Sequence, residues 1–402
     1  MKRTSIGSDR LLENEGERGT VIYLDANAST ATSRVAVEAV AMALSEGPLN
    51  PSSAHSSGAR ARVLLERSRE TVAKALGDVD YDNVYFTSGG TEANNIVIGG
   101  FSKLARSHVA CSVAEHASVL GPIRSCSAYS VVGIRQTGII QVDELICEIK
   151  SARSKGAAHV LASLQAANSE TGVIQPLTEQ IEALRSTFPE IFIMVDGAQA
   201  LGRVPLSLQG VDALTFSGHK LHAPAGTGFL YLSDRLAETL PAFAIGGGQE
   251  GGVRPGTQNV AGVVGMSAAI EDRMLNLDEH VARLAVLRAR LEAGVLSSVP
   301  GTRVVGAESP RTPNTSNLFF SGLDAQALLA RLDEAGVLCS TGSACSSARP
   351  EASPVLKAMG MTDREASSCL RFSVSVMNTE SEINDAVEVI ARCAERGIRT
   401  RE

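Results

Sequence analysis

The residues of this chain that could do covalent or proton chemistry stand at the ends of apolar runs or among small residues. Lys220 closes Phe216-Ser217-Gly218-His219-Lys220, straight after a buried-looking strand. An amine there can form a Schiff base with a carbonyl cofactor, and desolvation lowers its pKa. Asp196 ends the run Ile191 to Val195 and precedes Gly197-Ala198-Gln199. A carboxylate at a strand end can pair with a protonated pyridine nitrogen and keep the ring an electron sink. Ser88-Gly89-Gly90-Thr91 joins a strand to a helix, so backbone N–H groups and the helix dipole would face an anion. His116, with Glu115 beside it, follows another strand and can stack on an aromatic ring or move protons. Cys345 lies in Cys339-Ser340-Thr341-Gly342-Ser343-Ala344-Cys345-Ser346-Ser347, where small neighbours give a thiol the access that nucleophiles need. Each residue also has an ordinary reading. These are a surface lysine, a helix-capping aspartate, a tight turn, a structural histidine and a buried thiol.

The elements that must hold these residues form a repeating strand–loop–helix pattern. Strands are expected at Val21 to Leu24, Val84 to Phe86, Val109 to Val113, His159 to Leu164, Ile191 to Val195, Ala213 to Phe216 and Thr227 to Leu232. Helices are expected over 34–45 and 59–76, where apolar residues recur at three- and four-residue spacing, and from about Glu92. Gly47 to Ser53 reads as a loop by its turn chemistry. Such alternation predicts an α/β fold with a mostly parallel sheet covered by helices. Ligands then bind where the strands end. From about residue 272 the texture changes to a charged helix (Asp278 to Leu296), a strand (Ser316 to Phe320) and a helix near 324–335. The predicted organisation is a loose arm over 1–20, a large domain over 35–272, and a smaller α+β domain from 21–34 plus 273–402.

Composition narrows the classes further. Of 402 residues, 44% are hydrophobic and 20% charged, ordinary for a globular protein and long enough for two domains. The net charge of -7 argues against nucleic acid as the main partner. The 37 glycines suit tight turns and ligand loops. The polar first twenty residues lack the apolar core of a signal peptide, and no stretch has the length of a membrane span. Seven irregularly spaced cysteines with no C-x-x-C pair argue against a disulfide framework or a metal site. Free thiols of this kind point to the cytoplasm.

Order and context together carry a resemblance. Asn50-Pro51-Ser52-Ser53, Phe86 to Asn95, Glu115-His116, Val195 to Gln199, Ser217 to Lys220, Arg254-Pro255-Gly256-Thr257, Thr341 to Ser346 and Leu370 to Ser373 are similar to segments of the cysteine desulfurases. These are pyridoxal-phosphate enzymes of the class V aminotransferase group, with the type I fold of that cofactor's enzymes. The likeness runs from Tyr23 to about Ser373, and the loop around Cys345 resembles the branch that supplies sulfur for iron–sulfur clusters and thiolated tRNA.

The resemblance implies a role for each position. Lys220 would hold pyridoxal 5'-phosphate, Asp196 would pair with its ring nitrogen, and Gln199 would bond its phenolic oxygen. His116 would stack on the ring and shuttle protons. Thr91, Ser217 and His219, with the backbone of Gly90, would bind the phosphate. Thr257 would reach the phosphate in a neighbouring subunit, which implies a homodimer. Arg371 would clamp the substrate carboxylate, with Asn50 and Asn168 lining the pocket. Cys345 would be the nucleophile that takes sulfur from L-cysteine as a persulfide, leaves L-alanine, and passes the sulfur to an acceptor protein. The pattern has departures. Ser169 stands where the family usually has Asn, Gly251 where many relatives carry a basic residue, and few residues follow the last helix, where some relatives have a scaffold-docking tail. A selenocysteine lyase, an aminotransferase of the same class and a non-catalytic sulfur-acceptor homologue are the competing readings.

Overall fold

Apolar runs without polar alternation, such as Phe192-Ile193-Met194-Val195, must be covered on both faces. They form the middle of a large sheet. The computed structural model describes residues 21–342 and 352–399. In chain order its strands are β1 (Ile22–Tyr23), β2 (Val84–Thr87), β3 (Ser107–Ser112), β4 (Tyr129–Val132), β5 (His159–Gln165), β6 (Phe192–Asp196), β7 (Ala213–Ser217), β8 (Gly228–Leu232), β9 (Thr302–Val304), β10 (Thr315–Phe320), β11 (Val337–Leu338) and β12 (Cys369–Ser373). Seven of them make one sheet in the order β2-β8-β7-β6-β5-β3-β4. Neighbours pair in parallel except β8, which runs against both β2 and β7. The expected α/β class is therefore present.

Alternate residues of each strand feed two apolar layers. Ile193, Val195, Leu214 and Phe216 pack with the helices Ser56–Ala75, Val142–Ser154, Leu177–Thr187 and Val260–Leu275. Phe192, Met194 and Ala213 face the other way, against Gly90–Phe101 and Ala117–Arg124. A second, antiparallel sheet has the order β12-β10-β9. Its core joins Ile22 and Leu24 to Leu284, Leu328, Leu370, Phe372 and Ile390, beneath the helices Leu277–Ser298, Ala325–Glu334 and Glu380–Arg399. Parallel pairing of β1 with β11 ties the start of the described chain to this layer.

Element boundaries moved where caps differ from the usual ones. The helix expected from residue 59 begins at Ser56, because the His55 ring nitrogen Nδ1 accepts the Gly58 N–H at 3.3 Å. The helix expected from Glu92 begins at Gly90, on a Gly89 N-cap. Strand β4 was not expected at all. Among the described residues no helix is long and apolar enough to cross a membrane.

Candidate active site

The sheet brings most of the expected residues to one edge. Gly89, Gly90 and Thr91 follow β2, His116 follows β3, Asn168 follows β5, Asp196 ends β6, and Ser217 to Lys220 leave β7. These strands are mutually parallel, so the residues share the carboxyl end of the sheet, where open α/β sheets bind ligands.

Two hydrogen-bond chains knit that edge together. On one side His116 Nδ1 meets Ser118 Oγ at 2.8 Å. Asn94 Nδ2 donates to the same hydroxyl at 2.9 Å and to Asp196 Oδ2 at 3.4 Å, while Asn94 Oδ1 accepts from Thr215 Oγ1 at 2.7 Å. Asp196 Oδ1 accepts the Ala198 N–H at 3.0 Å. On the other side Lys220 Nζ donates to the carbonyls of Asn27 (2.5 Å) and Ala28 (2.9 Å). Gln199 Nε2 reaches the same Asn27 carbonyl at 3.2 Å. Gln199 lies three residues past Asp196, so the two chains meet through the segment they share.

Arg371 is buried, donating to Asp25 Oδ1 at 2.6 Å and to the Ser169 carbonyl at 3.2 Å. Asn27 Nδ2 donates to that same carbonyl at 3.1 Å. The Arg371 guanidinium therefore lies one shared acceptor away from the residue that holds Lys220. Glu115 is fully buried, and neither carboxyl oxygen has a partner among the described residues. Burial first, and then the nearby Asp196 charge, push it well above the ordinary carboxylate range. His219 is driven down to about 4, first by burial and then by Lys220, and its Nδ1 lies 3.2 Å from Ser29 Oγ.

The expected residues differ in how they are used. Asn168 carries no spare amide group. Its Oδ1 accepts from the backbone N–H groups of Glu170 and Thr171 and from the Thr171 hydroxyl, and its Nδ2 donates to Ala114 and Gln165. Through these bonds it holds the loop that follows β5. Asn50 is exposed and caps its own turn, accepting from Ser52 N at 3.0 Å. Thr257 is also exposed. Cys345 lies outside the described residues. Sequence reasoning missed Asn27, whose two carbonyl oxygens and amide reach Lys220, Gln199, Arg203, Asn314, Thr315 and Ser169. The available signal was a polar residue just past a strand end. It also missed Arg203, which is buried and bridges Asn27, Gln199 and the Lys220 carbonyl. Burial, with Arg273 and Arg371 nearby, lowers that guanidinium to about 9.

The Gly89 corner tests whether a phosphate-bearing pyridine fits. The helix Gly90–Phe101 has no side-chain cap, so its first N–H groups are open to an anion. A Cβ at Gly89 would stand 3.3 Å from Ser217 Oγ, and one at Gly228 would lie 2.6 Å from the Gly89 Cα and 2.5 Å from the Phe216 carbonyl. Only glycines let these strand ends close this tightly. The donor set of open N–H groups, a hydroxyl, an amine and a facing carboxylate fits such a group.

The family called aminotransferase class-V matches residues 22–385, and the chain belongs to it. Within that family its relatives include cysteine desulfurase 2 of Trichormus variabilis, 37% identical over 383 residues that cover 94% of each chain. Cysteine desulfurase IscS of Dictyoglomus turgidum is 35% identical, over 93% of this chain and 95% of that one. The NifS-like protein of Rickettsia africae superposes with a TM-score of 0.84 at 30% identity, covering 93% of this chain and 99% of that one.

Proposed function

We propose that this protein is a cysteine desulfurase that uses pyridoxal phosphate and stores sulfur on Cys345. One observation carries the reading: Asp196 ends β6 and Lys220 lies in the turn that leaves the adjacent parallel β7, a carboxylate and an amine suited to opposite parts of one pyridine ring and linked through Gln199 and Asn27. Pyridoxal phosphate, when bound, supplies a conjugated cationic ring that takes up the electrons left when a proton leaves the Cα of an amino acid.

The chain's own groups do the rest. Lys220 Nζ would hold the cofactor's carbonyl carbon and, once released, take the proton from the substrate Cα. Asp196 would hold the ring nitrogen and Gln199 the phenolic oxygen. The open N–H groups of Gly90 and Thr91, with Ser217 and His219, would receive the phosphate. Arg371 would exchange its contacts with Asp25 and Ser169 for the substrate carboxylate, which a planar guanidinium meets with two parallel bonds. His116 would carry the thiol proton. The Cys345 thiolate would attack the substrate sulfur: an S–S bond forms, the C–S bond breaks with its electron pair going to carbon, and protonation of that carbon gives alanine. Cysteine and a thiol thus become alanine and a persulfide, with no outside oxidant. A sulfur-acceptor protein would then collect the outer sulfur.

Two further parts belong to this reading. A second copy of the chain would complete the site through Thr257, and the exposed apolar side chains Val35, Val37, Met42 and Leu44 on the helix Arg34–Ser45 support an interface there. Residues 21–34 with 273–402 would form the smaller domain, supported by the apolar cluster that Ile22 and Leu24 share with Leu284, Leu328, Leu370 and Ile390. A cytoplasmic site of action fits the free thiols. The test is the visible spectrum of the purified protein, with alanine and persulfide assays on added cysteine. Lys220→Ala should lose the cofactor absorbance, and Cys345→Ala should keep it but form no persulfide. Undiminished desulfuration by Cys345→Ala would remove the proposed nucleophile.

A further inference from the structure

Alternation along β10 and β12 decides which side chains of the second sheet face the site. Leu318, Phe320, Leu370 and Phe372 enter that sheet's own apolar cluster. Asn317 and Arg371 therefore point the other way, toward the loop that follows β5. The two are direct cross-strand partners, which puts their Cβ atoms about 4.5–5.5 Å apart. Both are buried, and they address consecutive carbonyls of that loop. Arg371 Nη1 donates to the Ser169 carbonyl and Asn317 Nδ2 to the Glu170 carbonyl, each at 3.2 Å. A carbonyl can only accept, so it is the amide nitrogen of Asn317 that faces Glu170, and Oδ1 is turned away from it. Arg371 Nη2 is held by Asp25 Oδ1 at 2.6 Å. Two atoms of this pair are left over. Arg371 Nε and Asn317 Oδ1 are buried without a hydrogen-bond partner among the described residues. One is a donor and the other an acceptor, on side chains that stand opposite each other.

We infer that Asn317 is a positioning residue for the carboxylate clamp: when Arg371 gives up Asp25 and Ser169 for a substrate carboxylate, its Nε–H turns to Asn317 Oδ1. The inference rests on the proposed role of Arg371 and deepens it. A guanidinium carries its N–H donors in one rigid plane. A carboxylate met by Nη1 and Nη2 leaves the Nε–H over, and a buried donor left unmade costs free energy. An acceptor on the inner side of the turned guanidinium removes that cost. It also fixes the plane, and with it the direction in which the two Nη groups point. Asn317 suits the task in two ways. Its amide is uncharged, so it does not compete with the substrate for the cation as the Asp25 carboxylate does. Its nitrogen is already anchored on Glu170, so little side-chain freedom is lost when Oδ1 is engaged.

The experiment reads carboxylate recognition apart from the chemistry. The holoenzyme is titrated with L-alanine and with L-alaninamide, which keeps the amine and the methyl group but lacks the negative charge. Binding is followed by the visible absorbance of the cofactor. Asn317→Ala should weaken L-alanine about tenfold, as expected for one lost hydrogen bond to a charged group, and leave L-alaninamide within about twofold. The KM for cysteine should rise by a similar factor with kcat little changed. Asn317→Asp keeps the accepting oxygen and gives up the Nδ2 donor, so it should retain the preference for L-alanine. A role confined to holding the Glu170 carbonyl would make it as poor as Asn317→Ala. In an Arg371→Lys background, where no Nε–H remains, Asn317→Ala should change L-alanine binding by less than about twofold. If Asn317→Ala does not fold, Asn317→Asp decides the matter in the same titrations. Equal weakening of both ligands by Asn317→Ala, or of neither, overturns the positioning role. An Arg371→Lys protein that prefers L-alanine as strongly as the wild type would overturn the clamp itself. One that loses the preference, while Asn317→Ala keeps it in full, would sink only this inference.

Discussion

His222 gives a sharp test of the buried polar layer behind Lys220. It sits at φ 61° and is 5% exposed, with Nδ1 donating to the Ala31 carbonyl at 2.8 Å. Burial foremost lowers its pKa from 6.5 to about 4; the Ala31 bond opposes it, and Arg273, Arg203 and His280 add smaller downward pulls. In the unfolded chain it titrates near its ordinary value. Between those two values the unfolded state binds more protons, so stability is fully present above about pH 6.5 and is lost as pH falls toward about 4. Integrated from pH 7.5 to pH 5, this one group removes about 2 kcal/mol. His222→Asn is the informative change. Asn tolerates a positive φ and its amide can still donate to Ala31, but it does not titrate. The variant should cost about 1–2 kcal/mol at pH 7.5 through lost packing. Urea unfolding of both proteins across this range, at constant ionic strength, should show the gap between them closing as pH falls. A gap that stays constant from pH 7.5 to pH 5 would mean that His222 is not held neutral by burial.

Other outcomes follow from the same reasoning. The Glu250 side chain is fully buried, paired with Arg69 at 3.0 and 3.1 Å, and accepts the Phe86 N–H at 2.8 Å. Glu250→Ala leaves the partly buried Arg69 guanidinium and the buried Phe86 N–H without their carboxylate and should lower stability by about 1–3 kcal/mol in urea titration; a loss under about 0.5 kcal/mol would show the pair to be dispensable. Gly228→Ala should drive the β8 end away from Gly89 and sharply reduce the bound cofactor per chain, read from visible absorbance and protein assay. Full cofactor content in that variant would contradict the close-approach geometry. Asn27→Ala removes three neutral hydrogen bonds and one to Arg203, and should cost about 3–5 kcal/mol of stability; an unchanged unfolding midpoint would deny Asn27 its place as the hub of the site.

What the sequence made legible follows from how local each signal is. Strands β6, β7 and β8 were readable to within a residue, because short, mainly apolar runs flanked by polar or glycine residues mark buried strands. The edge strand β4 escaped notice because its residues are largely exposed and its run is short. Lys220, Asp196 and His116 were legible because each closes a strand or follows one within four residues, and strand ends face the ligand. Asn27 and Arg203 were not, since the importance of Asn27 comes from contacts with residues 142 to 346 positions away and that of Arg203 from burial that local pattern does not encode. The part Asn168 plays in holding its own loop was hidden for the same reason, because its oxygen accepts the N–H groups of Glu170 and Thr171 only once the loop is folded. Glu170 was visible only as part of a motif, because its partner Ser353 approaches from a distant part of the chain.

The arrangement stands on a covalent link at one amine. Borohydride reduction of the purified holoenzyme, followed by peptide mass spectrometry, fixes and locates any lysine–cofactor bond. The expected result is a reduced pyridoxyl adduct on Lys220 and no adduct on any other lysine. An adduct elsewhere, or an unmodified Lys220 in protein that carries the cofactor, would contradict the site described above.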